Sequence, residues 1–250
     1  MRTKVIAGNW KMNKTVADTA ELINGLKAQL SSPKAVVIVC PPYTSLALAS
    51  ELAKGSPIKV GAQDVSVNDD GAFTGEISIG MLKAAGCSYV IVGHSERRQY
   101  FKESDELINR KAKKVFAAGL TPIICVGETL EERESGITGQ VITNQVRGVV
   151  AGFTNEQMES AIIAYEPVWA IGTGKTATSA QAEEVHQLIR GLIAEIFSKE
   201  TADKVVIQYG GSVKPDNAKE LLSMPDIDGA LVGGACLKAD SFSAIINAAE

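Results

Sequence analysis

The chain has 250 residues, 45% of them hydrophobic, 22% charged and 5% aromatic, with a formal net charge of −4. A mixed, mildly acidic charge pattern argues against a nucleic-acid or anionic-membrane partner. No apolar run approaches the roughly 20 residues that span a bilayer. Cys40, Cys87, Cys125 and Cys236 lie far apart without a CxxC pair, which points away from a zinc site or disulfide framework and towards a reducing cytoplasm.

The opening MRTKVIAGNWKMNK lacks the apolar core and cleavage site of a secretion signal and reads as a first strand beginning near Lys4. Further β-rich runs begin near Ala35, Ile58, Tyr89, Thr121, Ala161, Lys204 and Gly229. These runs are near-continuously apolar, as strands covered on both faces are. Between them lie helical patterns. The spacing predicts a helix from about Asp105 to Ala118, stopped by Gly119, with the basic cluster Arg110 to Lys114 as its solvated face. A longer helix carries Val185, Leu188, Ile189, Leu192, Ile193 and Ile196 on one stripe, with Thr178 and Gln181 as its capping box. His186 lies beside that stripe and is expected at the surface or flank. Asp64 to Gly80 is long and weakly patterned: a lid, an interface arm or a mobile loop. Within it Asp69 and Asp70 read as solvated loop charges. Eight strand–helix alternations without a linker favour residues 1–250 as a single (β/α)8 barrel domain of parallel strands surrounded by helices. A doubly wound open sheet uses the same alternation.

In such a barrel the residues just past the strand ends converge on one mouth. Here those residues are Asn9 and Lys11, then His94, Ser95 and Glu96, then Glu166, Gly210, Gly211, Ser212, Gly233 and Gly234. One acid, one cation and one imidazole therefore meet. The pairs Gly210–Gly211 and Gly233–Gly234 let backbone N–H groups approach an anion, and the loops after strands seven and eight are the usual phosphate site of these barrels. A helix starting at His94 would disfavour the imidazolium and leave a neutral donor. Cys125, inside an apolar run, is expected buried and inert.

Glu166 ends a strand and is followed by Pro167 and a Gly-punctuated loop, a layout suited to a general base under a lid. Gly174-Lys175-Thr176 looks like the end of a nucleotide-binding loop, but Trp169 stands where that motif needs glycine. The glycines Gly172 and Gly174 lie too far past the strand for a dinucleotide fingerprint. No G-x-S-x-G elbow is present. A non-enzymatic phosphate-binding barrel, with Glu166 incidental, remains open.

The stretches AGNWKMN (Ala7 to Asn13), VGHSERR (Val92 to Arg98), CVGE (Cys125 to Glu128), AYEPVWAIGTGK, YGGSV (Tyr209 to Val213) and LVGGA (Leu231 to Ala235) resemble the triosephosphate isomerase family across nearly the whole chain. The resemblance implies a TIM barrel that interconverts dihydroxyacetone phosphate and D-glyceraldehyde 3-phosphate through an enediolate, without metal or cofactor. It implies Glu166 as base, His94 as neutral electrophile, Lys11 as positive charge with Asn9 beside it, and Glu96 as partner of Lys11. Gly172, Ser212, Gly233 and Gly234 would hold the phosphate through backbone N–H groups. The lid would run from Pro167 to Ala177. Pro167, Val168 and Trp169 would form its leading hinge, and Val168, Trp169, Ala170 and Ile171 its apolar cover. Thr173 and Gly174 would follow Gly172, and Lys175, Thr176 and Ala177 would form the trailing hinge. The segment around Thr74 would reach into a second subunit of a homodimer. Cys236 stands where the family usually has serine.

Overall fold

The computed structural model describes residues 2–172 and 176–249. Eight parallel strands form its centre: β1 (Val5–Asn9), β2 (Val36–Cys40), β3 (Ile58–Ala62), β4 (Tyr89–Val92), β5 (Thr121–Val126), β6 (Ile162–Tyr165), β7 (Val206–Tyr209) and β8 (Gly229–Val232). Each pairs with its sequence neighbours, and β1 also pairs with β8, Val5 opposite Gly229, so the sheet closes. The eight expected strands are all present, and the closed barrel replaces the open-sheet alternative.

Two apolar layers follow from the period-two alternation of strand side chains. Val5, Ala7, Ile38, Ile91, Ile123, Ile162, Ala164 and Leu231 pack together inside the barrel. Ile6, Val37, Val92, Ile124, Ile163 and Ile207 join the larger layer beneath the helices. Burying one such aliphatic side chain contributes roughly 1.5–3 kcal/mol, so these layers, not the polar mouth, carry the fold. Continuing the inward alternation to the strand ends and just beyond places Asn9 after Ala7, Gly127 after Cys125, Glu166 after Ala164, and Gly210 after Gln208. The register that builds the core thus aims the site.

Helices start and stop where side-chain chemistry tells them to. Asp105–Ala117 begins under a Ser104 cap and is followed by Gly119 at φ 74°, while Ser179–Ile196 begins under the expected Thr178–Gln181 capping box. Two expectations about these helices fail. Lys111 does not belong to a solvated face: it is buried, with Nζ 2.7 Å from Asp64 Oδ1 and 2.6 Å from Glu103 Oε1. His186 is not at the surface either, being fully buried. Polar residues Glu183, His186 and Arg190 form a second stripe that packs on the Asp226–Asp228 turn. Arg190 Nη2 lies 2.6 Å from Asp228 Oδ2, and the Asp226 N–H donates to Glu183 Oε2.

The stretch from Asp64 to Gly80 is an excursion with a closed stem. Ser66 N–H donates to the Ile77 carbonyl at 2.9 Å, and Ser78 caps the helix Ile79–Ala84. Residues 69–76 at its tip are all exposed. Asp69 there is exposed but pairs with Lys114, and Asp70 accepts from the Ser78 hydroxyl.

Candidate active site

Lys11 enters the mouth on a strained backbone. Its φ of 52° lies in the left-handed region, which costs a non-glycine residue on the order of 1–3 kcal/mol and persists only when neighbours fix it. Three neighbours do. The Lys11 N–H donates to Asn9 Oδ1 at 3.0 Å, Gln63 Nε2 donates to the Lys11 carbonyl at 2.8 Å, and Nζ lies 2.6 Å from Glu96 Oε1. Gln63 also donates to the Cys40 carbonyl, so it ties the ends of β2 and β1 together.

His94 caps the helix Ser95–Phe101, and its Nδ1 accepts the Glu96 N–H at 3.2 Å. An accepting Nδ1 carries no proton, which leaves the proton on Nε2. That Nε2 lies 2.8 Å from Glu166 Oε1, and the Ser95 N–H donates to Glu166 Oε2 at 2.9 Å. Glu166 is 2% exposed. Burial alone would raise its pKa, yet His94 and the Ser95 N–H outweigh burial and hold the carboxyl below the usual range. For His94 burial works downward, and the Glu166 carboxylate more than offsets it, lifting the imidazole. The lift belongs to the contact. Once the carboxylate moves away, burial and the Glu96 N–H on Nδ1 both favour the neutral ring.

Glycines let the backbone close around this pair. A Cβ on Gly127 would lie 1.7 Å from the Glu166 carbonyl oxygen, and one on Gly210 would lie 2.9 Å from the Glu166 side chain. Gln145 locks Gly127 in place by accepting its N–H and donating to its carbonyl.

Asn9, Lys11, His94, Glu166, Gly172, Ser212, Gly233 and Gly234 line one cavity of about 590 Å³. Glu96 lines instead an adjoining cavity of about 480 Å³, which shares Asn9, Lys11 and His94 with the first. Of the expected lid, Val168–Ala170 form a short 3-10 turn, Ile171 and Gly172 reach the cavity, and Thr176 is exposed. Thr173, Gly174 and Lys175 lie outside the described residues. Cys125 is fully buried, as expected, and burial pushes its thiol far up.

Local reading missed the supports of the loop. Glu128, fully buried, accepts from the Tyr165 hydroxyl at 3.1 Å and from Trp169 Nε1 at 2.8 Å, and its carbonyl accepts the Val168 N–H. Arg133 stacks over the Trp169 ring at 5.0 Å. Elsewhere in the mouth the Tyr209 hydroxyl is buried without a hydrogen-bond partner among the described residues, and burial pushes its pKa up to about 12. The VGE motif contains Glu128, but nothing local to it says which loop it holds.

A model of the triosephosphate isomerase family matches residues 4–249. The curated triosephosphate isomerase of Carboxydothermus hydrogenoformans is 58% identical over 247 residues, covering 98% of each chain. That of Chlorobium phaeovibrioides is 55% identical over 251 residues and the whole of both chains, and that of Clostridium botulinum is 54% identical over 247 residues, 99% of this chain and all of the relative. The matched span includes every strand end that meets at the mouth, and the chain belongs to the triosephosphate isomerase family.

Proposed function

We propose that Glu166, His94 and Lys11 divide the isomerisation of D-glyceraldehyde 3-phosphate and dihydroxyacetone phosphate between them. Glu166 takes the proton from the carbon next to the carbonyl and returns it to the neighbouring carbon. His94, through Nε2–H, polarises the carbonyl and then donates to the enediolate oxygen. Lys11 supplies positive charge to that oxygen, with Asn9 at its base and Glu96 fixing its ammonium. Gly172, Ser212, Gly233 and Gly234 present backbone N–H groups to the phosphate. No step in this scheme calls for a metal or cofactor.

The observation that carries this reading is the resting place of Glu166, held by His94 Nε2 and Ser95 N beside a cavity that Lys11 also lines. In that place the carboxylate is a weak base, and free glutamate at roughly 4.3 is already weak for taking a proton from carbon. Substrate and lid displace it from both donors into an apolar surround, where desolvation raises its basicity. General base catalysis supplies roughly 10²–10⁴-fold. The enediolate contacts of His94 and Lys11 supply the larger share. A coupled assay with glyceraldehyde 3-phosphate tests the reading, and calorimetry with the same triose phosphate separates binding from turnover. Tight binding without turnover would leave a phosphate-binding barrel.

The chain acts as a homodimer in the cytoplasm on this reading. Phe73 and Thr74 at the tip of the 64–80 excursion are exposed, and the 480 Å³ cavity on the same chain is lined by Met12 (95% exposed), Tyr100 and Phe101. A projecting loop and a socket with an exposed Met and aromatic rim on one chain are what a two-fold interface needs. All four cysteines are free and buried, in keeping with a reducing compartment. Among the described residues no helix is long and apolar enough to cross a membrane.

A further inference from the structure

Strand β5 outruns one of its neighbours. Its last register pair with β4 is Val92 opposite Ile124, whereas its pairing with β6 runs on to Val126 opposite Tyr165. The Glu166 N–H then donates to the Val126 carbonyl at 2.8 Å, so Val126 turns its backbone groups towards β6. Backbone groups of successive strand residues point to opposite edges, which leaves Cys125 and Gly127 facing the edge that β4 has left. There Gly93, at φ 70°, turns the chain into the helix Ser95–Phe101. Backbone groups next to the core that lose a ladder partner must find another.

Two side chains take the place of the missing strand. Arg98 spans the gap, with Nε donating to the Gly93 carbonyl and Nη2 to the Cys125 carbonyl, both at 3.1 Å. Gln145 takes both backbone groups of Gly127: its Oε1 accepts the N–H at 2.8 Å and its Nε2 donates to the carbonyl at 3.0 Å. One orientation of the amide alone makes both bonds, so the pair defines it. Gln145 stands on the helix Thr138–Val149, which Ile142, Val146 and Val149 fix in the apolar layer around the barrel.

Gly127 matters through what lies on it. A Cβ there would come within 1.7 Å of the Glu166 carbonyl oxygen, 2.6 Å of its carbonyl carbon and 3.1 Å of its Cα. The Glu166 peptide therefore rests on the bare Cα of Gly127. From the opposite side the Gly210 N–H donates to the Tyr165 carbonyl at 2.7 Å.

We infer that Gln145 is a positioning residue for Glu166: its amide replaces the strand neighbour that Gly127 lacks and so fixes the surface on which the base's backbone rests. This rests on Glu166 as the base. Gln145 lines neither cavity of the mouth. It acts by setting where the carboxylate stands, 2.8 Å from His94 Nε2 and 2.9 Å from the Ser95 nitrogen.

The test uses the full chain. Gln145→Met keeps the length and bulk of the side chain but removes both hydrogen bonds. A displacement of about 1 Å costs on the order of 10²-fold in rate, and part of such a shift is expected here. The expected result is kcat roughly tenfold lower, about 1.4 kcal/mol, with KM unchanged because the phosphate cradle is untouched. The Glu166 carboxyl, held less well by His94 and Ser95, should also titrate higher than in the parent by carbon-13 NMR. A Gln145 that only satisfies backbone groups would lower Tm and leave kcat and the Glu166 titration as in the parent. Either one unchanged overturns the inference, as does a loss confined to KM. Gln145→Glu keeps the acceptor for the Gly127 N–H but sets a carboxylate oxygen against its carbonyl, and reads the same effect if Gln145→Met fails to fold. Combined with Glu166→Asp, either variant should cost less than it does alone, because the carboxylate is already displaced; full additivity overturns the inference. Glu166→Asp by itself separates the two readings. Turnover near the parent's there removes the base, whereas a large fall there with parent kcat in the Gln145 variants removes only this inference.

Discussion

Glu166 and His94 hold each other at rest, Oε1 of the first lying 2.8 Å from Nε2 of the second. The contact sets the direction of both pKa shifts, carboxyl down and imidazole up, each against the pull of burial. Catalysis requires breaking it, because a carboxylate stabilised by two donors has little drive to take a proton from carbon. The resting pair is therefore a parked base beside the electrophile it will later work with.

Glu166→Asp shortens the side chain by one methylene while keeping the charge. A displacement of about 1 Å costs on the order of 10²-fold in rate when reacting atoms must align, so kcat should fall at least that far. KM should change little, since the phosphate cradle and Lys11 are untouched. Turnover in the coupled assay within twofold of the parent would remove Glu166 from the role of base.

His94→Gln keeps a donor near the carbonyl but loses the imidazole geometry. Loss of one preorganised oxyanion donor typically costs about 10²–10³-fold in kcat, and a fall of that size is expected. The variant also makes an equilibrium prediction. With His94 gone, the largest influence left on Glu166 is burial, so its carboxyl pKa should rise above the parent value in a carbon-13 NMR titration. A carboxyl that titrates lower than in the parent would mean that the contact does not set its basicity.

The barrel was legible because its strands are apolar on both faces, and because the period that buries Ala7 and Ala164 also aims Asn9 and Glu166. Site residues at strand ends are thus local extensions of a core pattern. The residues misjudged are polar ones whose partners are remote. Lys111 sits in a basic run and looked solvated, but Asp64 lies 47 residues away and Glu103 supplies a second carboxylate. His186 flanks an apolar stripe, and its Asp226 anchor is 40 residues distant. Gln63 and Glu128 work through carbonyls and ring nitrogens of other loops. Hydropathy periodicity cannot anticipate such partners, because it records which face is buried and not what that face touches.

The dimer rests on the tip of the 64–80 excursion. Thr74→Arg puts a longer, cationic side chain where a socket already holding Lys11 and Arg97 would have to accept it, and the fold should tolerate this because residues 69–76 are exposed. Sedimentation should show a shift from dimer to monomer at micromolar concentration, with reduced activity, since the 480 Å³ socket shares Lys11 and His94 with the cavity above Glu166. A fully active monomeric parent would refute the interface.

His186 writes a signature on stability that is independent of activity. Its native pKa is about 3, against an ordinary value near 6.5 in the unfolded chain. Between those limits the unfolded state binds a proton that the native state refuses, so native stability falls as pH drops through that window, by about 1.4 kcal/mol per pH unit. Above pH 6.5 both states are neutral and the effect vanishes. Other groups titrate in the same window, so the informative quantity is the difference between parent and His186→Asn. Urea unfolding at pH 6.0 and 4.5, at one fixed protein concentration, should show the parent losing about 2 kcal/mol more than the variant over that interval. Equal losses would mean that His186 takes up its proton in the folded protein despite its burial against Tyr165 and Tyr209.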